Sequence, residues 1–121
     1  MSILFVLPGR PPTLNSWLSG TSWRKKAAEK KEWQEFIFYE LKAQKIPKPL
    51  EIPLKIVATQ FCAHPRDVDN GAIIATKFLL DTLKTSGYMP NDTPDIITEI
   101  TLRSEKCVLK QERTEFQIAQ S

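Results

Sequence analysis

Asp67 and Asp69 sit in the stretch HPRDVDN (His64 to Asn70), two carboxylates one residue apart, beside Arg66 and just ahead of an apolar segment. Ionised carboxylates so close repel each other, so something must hold them together. On a helix, a spacing of two turns the side chains to different faces. In an extended segment it puts them on one face, about 6.5–7 Å apart along the chain. Such a pair can grip a hard divalent cation such as Mg²⁺, which takes oxygen ligands and keeps several waters. The same residues have a plainer use, because Asp and Asn cap helices and acids favour the first helical turn. Spacing alone leaves both readings open. His64, the single histidine, stands close to the acids, but a surface or structural place is the ordinary one for a lone imidazole.

The elements that must carry these residues are legible from pattern. Ser2 to Leu7 is an apolar run ended by Pro8 and Gly9, which predicts a strand. A loop rich in Pro, Ser and Gly follows, and Thr21 or Ser22 can cap a helix over Trp23 to Lys45. There Trp33, Phe36, Ile37 and Leu41 recur at helical spacing as one apolar stripe. A connection punctuated by prolines leads to a second strand, Leu54 to Cys62. The stretch Gly71 to Gly87 reads as a second helix closed by its terminal glycine. Ile96 to Arg103 alternates as a strand, Ser104 and Glu105 turn the chain, and a last strand runs from about Lys106 to Ile118. The order β-α-β-α-β-β predicts an α/β (α+β) fold. Its single mixed sheet has about four strands, with two helices packed on it. The second helix carries Ile73, Ile74, Phe78, Leu79, Leu80 and Leu83 and has little polar face. It is either deep in the monomer or covered by a partner subunit.

Bulk properties narrow the function classes. The 121 residues suit one domain, residues 1–121, without repeats or low-complexity tracts. A hydrophobic share of 41% with 26% charged residues is that of an ordinary globular chain and argues against disorder. No apolar run reaches membrane-spanning length, and the first residues lack the basic region and small-residue cleavage site of a signal peptide. A cytoplasmic protein is therefore expected. Cys62 and Cys107 have no CxxC spacing and are expected to be buried free thiols. A formal charge of +3 permits a nucleic-acid partner without demanding one. Arg24, Lys25, Lys26, Lys30 and Lys31, with Trp17 and Trp23 nearby, suit a phosphate-binding face. Glu29, Glu32 and Glu35 suit a merely solvated one. Arg10 and Asn15 in the proline loop are further candidates for contact with a DNA backbone.

The longer pattern runs through Asp67, Asp69 and Asn70, then Lys77, Asp81 and Leu83, then Gly87 and Tyr88, then Asn91 and Asp92, and PPTLN (Pro11 to Asn15) follows the first strand. Together these resemble the RusA family of Holliday junction resolvases, small α/β dimers that cut four-way DNA junctions with Mg²⁺. The resemblance covers nearly the whole chain in order of elements, with its motifs between Arg66 and Asp92. It implies that Asp67, Asp69 and Asp92 are catalytic carboxylates holding Mg²⁺, that Lys77 serves the same site, and that Arg66 and the basic residues named above contact branched DNA. Two positions depart from the family pattern. Asn91 stands where the family has the first acid of the late pair, and Lys77 stands eight residues after Asp69 rather than about one turn. A helix from Asn70 to Ser86 would run ~25 Å, while Gly87 to Asp92 spans at most ~20 Å. Asp92 therefore meets the Asp pair if the helix is shorter, or across a dimer. If the displaced lysine disables the site, the same fold would bind branched DNA without cutting it. The remaining alternative is an unrelated small α/β nucleic-acid-binding or protein-binding domain whose acids are caps.

Overall fold

The computed structural model describes residues 2–12, 17–19, 22–64 and 72–120. Its elements are β1 (Ser2–Pro8), α1 (Trp23–Ala43), β2 (Leu54–Cys62), α2 (Ile73–Thr85), β3 (Ile97–Lys106), a 3-10 turn (Leu109–Gln111) and β4 (Arg113–Gln120). One four-stranded sheet has the order β1-β4-β2-β3. β4 is antiparallel to both β1 and β2, and β2 is parallel to β3. Parallel neighbours need a crossover, and α2 is that crossover. The expected class, a mixed sheet with two helices, is the observed one.

Alternation decides the faces. Along β2, Leu54, Ile56, Ala58, Gln60 and Cys62 are buried, while the residues between them are exposed or half-buried. Phe5 and Leu7 of β1 and Phe116 and Ile118 of β4 join the buried face. Ile37 and Leu41 of α1 and Phe78, Leu79 and Leu83 of α2 close one core against it. Of the predicted α1 stripe, Ile37 and Leu41 are buried and Trp33 is half-buried, but Phe36 lies exposed.

Much of the apolar excess of α2 is buried within the monomer: Ile74, Ala75, Thr76, Phe78, Leu79, Thr82 and Leu83 are buried, whereas Ile73 and Leu80 are half-buried and line a groove. Thr76 and Thr82 are tolerated there because their hydroxyls donate to the carbonyls of Ala72 and Phe78, both at 2.8 Å.

The turn expected at Ser104 and Glu105 does not form. β3 runs straight through them, pairing Ser104 with Gln60 and Glu105 with Phe61, and β4 starts at Arg113 rather than near Lys106. The reason is topological. β2 lies between β3 and β4, so the chain must cross two strand spacings, ~9.6 Å, which no tight turn can span. Residues 107–112, with their 3-10 turn, make the crossing. Neither cysteine is in a disulfide; Cys62 is buried as expected, but Cys107 at this turn is only half-buried.

Each helix ends in the same way. Ser22 caps α1, its hydroxyl accepting from the Lys25 amide. At the other end the Ile46 amide donates to the Leu41 carbonyl at 3.0 Å and the Lys45 amide to the Lys42 carbonyl at 3.0 Å. This paired closure requires a left-handed residue, and Lys45 supplies it at φ 56°. α2 repeats the closure with Gly87 at φ 81°, the glycine the sequence marked, and buries Tyr88 behind it. A lysine in the left-handed region carries strain of ~1 kcal/mol or more that a glycine does not. Lys45→Gly is therefore expected to stabilise the protein by about 0.5–1 kcal/mol after the glycine's entropy cost, read as a rise of a few degrees in thermal melting.

Candidate functional site

Asp67, Asp69, Asn70, Arg66 and Asn15 lie outside the described residues. Of the four residues expected to be catalytic, Lys77 and Asp92 are described. They line the same groove, a cavity of about 410 Å³ along α2 and the edge strand β3. Ile73, Thr76, Leu80 and Asp81 of α2 form one wall, and Ile100 and Leu102 of β3 form the other.

Helical geometry explains how residues fifteen apart in sequence meet. α2 is shorter than the helix drawn from sequence, thirteen residues and thus ~20 Å. After it the chain turns back, so Asp92 precedes β3 beside the helix's last turn. There the Lys84 ammonium lies 4.0 Å from the Asp92 Oδ1. A lysine on a helix leans toward the N-terminus. This brings Asp92 up the groove toward Lys77, which starts two turns, ~10.5 Å, above Lys84.

The charges of the groove are ordered. Lys30 of α1 reaches across to Asp81 at 2.8 Å. The pair is partly exposed, so its energetic worth is small, ~0–1 kcal/mol. Its effect is geometric: it links the two helices at the motif's Asp81 and uses a lysine that sequence reasoning gave to DNA. Among the described residues Lys77 has no carboxylate within ion-pairing distance and is exposed. Lys30, Lys77 and Lys84 against Asp81 and Asp92 leave one positive charge among the described residues.

The other described basic candidates lie apart from the groove's lining. Arg24 and Lys25 are exposed at the start of α1, with the Arg24 guanidinium 6.0 Å from the Trp23 ring, and Lys26 is half-buried. Arg10 is held by Glu112, its Nε 3.7 Å from the carboxylate.

Glu112 is a residue that sequence reasoning missed. Its Oε2 accepts from the Ala63 amide at 2.9 Å, and its backbone carbonyl accepts from the Gly9 amide at 3.3 Å. One residue thus ties the exit of β1 to the exit of β2, the two chain segments that lead to Asn15 and to the Asp pair. A lone glutamate in a polar turn gives no local signal of this, because its partners are 49 and more residues away. His64 is exposed, as expected of a surface imidazole.

Among the described residues no three His, Cys, Asp or Glu side chains come together as a metal site. Asp92 fits a hard cation in chemistry: it is an exposed carboxylate, and among the described residues its ion-pair partner is Lys84, at the limit of ion pairing. No family model matches the chain, and no curated protein is similar to it.

Glu112→Ala is expected to cost about 1–2 kcal/mol, chiefly by leaving the Ala63 amide without its acceptor. Glu112→Gln keeps an acceptor and loses only a long, half-exposed ion pair, so it should cost less than Glu112→Ala, ~0–1 kcal/mol. Thermal or urea denaturation of the two variants checks the order.

Proposed function

We propose that the chain is a RusA-like endodeoxyribonuclease, an enzyme that nicks four-way DNA junctions with Mg²⁺, works as a homodimer and resides in the cytoplasm. The observation that carries this reading is the groove in which Lys77, Asp81 and Asp92, separate parts of one motif, stand together. Among the described residues no helix is long and apolar enough to cross a membrane.

In this reading Asp67, Asp69 and Asp92 hold the cation with their carboxylate oxygens. Bound Mg²⁺ would supply a water of lowered pKa and would offset charge on the phosphorus oxygens. The Lys77 ammonium, without a carboxylate partner among the described residues, receives a phosphodiester oxygen and stabilises the negative charge that grows there as the bond breaks. Lys30 holds Asp81 and keeps it from neutralising Lys77. Arg24 and Lys25, exposed on α1, meet phosphates farther along a DNA arm, with Arg10, Asn15, Lys26 and Arg66 as the remaining contacts. Two copies related by a two-fold supply the paired nicks that resolution of a junction needs.

Incubation with a synthetic four-way junction, with and without Mg²⁺, tests the activity. Paired nicks only with the metal are expected, and light scattering should give a dimer mass. Asp67→Asn, Asp69→Asn and Asp92→Asn should each abolish nicking while junction binding persists, and Lys77→Ala should slow nicking tenfold or more. Binding without nicking by the wild type would point to a junction-binding protein instead. Normal nicking by the Asn variants would return the acids to the role of helix caps.

Junction affinity should fall steeply with salt as phosphate contacts release counterions. Neutralising Arg24 and Lys25 together should lower the slope of log affinity against log salt by about two. An unchanged slope would leave that face of α1 as solvated surface.

A further inference from the structure

The two edges of the sheet differ. β3, at one edge, carries Glu99, Arg103, Glu105 and Lys106. Charges on an edge strand discourage pairing with another chain. β1, at the other edge, reads SILFVLP and has none, and its Leu4 is 51% exposed. By composition alone β1 is the edge that would accept a further strand.

That edge is met by a side chain. The Val6 amide donates to the Gln44 Oε1 at 2.9 Å, and the Gln44 Nε2 donates to the Val6 carbonyl at 2.6 Å. One carboxamide thus makes the same donor and acceptor pair that a neighbouring strand residue would make. Its position is fixed twice over. Gln44 is the last cap of α1, followed by the left-handed Lys45, and its Nε2 also donates to the Glu40 carboxylate at 2.8 Å. Because both backbone groups of Val6 face away from β4, so do those of Ser2, Leu4 and Pro8, two residues apart along the strand. Pro8 has no N–H to offer. Ser2 and Leu4 alone retain donor and acceptor for a newcomer, and Gln44 stops any newcomer's register at Val6.

We propose that the β1 edge is a strand-pairing surface kept closed by the Gln44 carboxamide, and that its occupant, once that amide is removed, is β1 of a second copy of this chain. The strand is uncharged, so antiparallel pairing with itself meets no like-charge repulsion. The resulting contact is isologous and joins two four-stranded sheets into one of eight. This proposal does not rest on the nuclease reading, since it concerns the edge remote from the groove on β3.

Gln44→Ala, Gln44→Ser and Gln44→Leu each remove the amide. Sedimentation velocity over a concentration series is expected to show, for every variant that keeps the wild-type circular dichroism, a species of twice the wild-type mass, whatever the wild-type mass is. It should form at tenfold or more lower concentration than any such species of the wild type. Adding Leu4→Lys to Gln44→Leu should abolish it by placing a charge on the open part of the edge. Folded variants that keep the wild-type mass throughout would overturn the proposal. Failure of all three to fold would also overturn it, by making Gln44 a staple of the fold rather than a guard of its edge.

Discussion

β2 is hydrogen-bonded on both sides, parallel to β3 and antiparallel to β4, and this double pairing constrains the rest of the molecule. Because β3 runs parallel to β2, the chain must return over the sheet before it can begin, and α2 is the return path. A helix forced across a sheet face is buried by the crossing itself, which is why α2 needs so many apolar residues. Because β4 lies on the far side of β2, the chain must also cross under β2's exit, and residues 107–112 do so with Glu112 among them. The tie from Glu112 to Ala63 and Arg10 is therefore a by-product of strand order.

The same crossover fixes the groove. Buried α2 residues face the sheet, so Lys77, Asp81 and Lys84 are left on the flank beside β3. Asp92 lies in the short link between α2 and β3 and can only be near the end of one and the start of the other. A lysine and an aspartate separated by fifteen residues are thus brought to one cavity without any long-range signal in sequence. Lys30 pairs with Asp81 and Lys84 lies at the limit of ion pairing from Asp92, so among the described residues Lys77 is left without a carboxylate partner.

A one-sided sheet has a cost at its margins. β1 must be apolar because Phe5 and Leu7 lie in the core, and an apolar edge strand invites pairing. Charge would protect it, as it protects β3. Gln44 offers a different protection, available because α1 ends next to β1 and its left-handed cap holds the glutamine in place.

Much of this was written locally. The 2-residue period of Leu54 to Cys62, the Ser22 cap and the Gly87 stop gave elements within a few residues of those observed, because period, caps and turns are properties of neighbours in sequence. The mixed α/β class follows from their order. The pairing of β2 with β3 and β4 was not legible, and with it went the turn wrongly expected at Ser104 and Glu105, since hydrogen bonds to a central strand carried β3 onward. Only the family resemblance put Lys77 and Asp92 in one site, since neither period nor spacing brings them together, and nothing local signalled the ion pair of Lys30 with Asp81. Glu112 and Gln44 were invisible for the same reason. Each matters through contacts 38 or more residues away, and only the tertiary structure decides which distant backbone groups a polar side chain will meet.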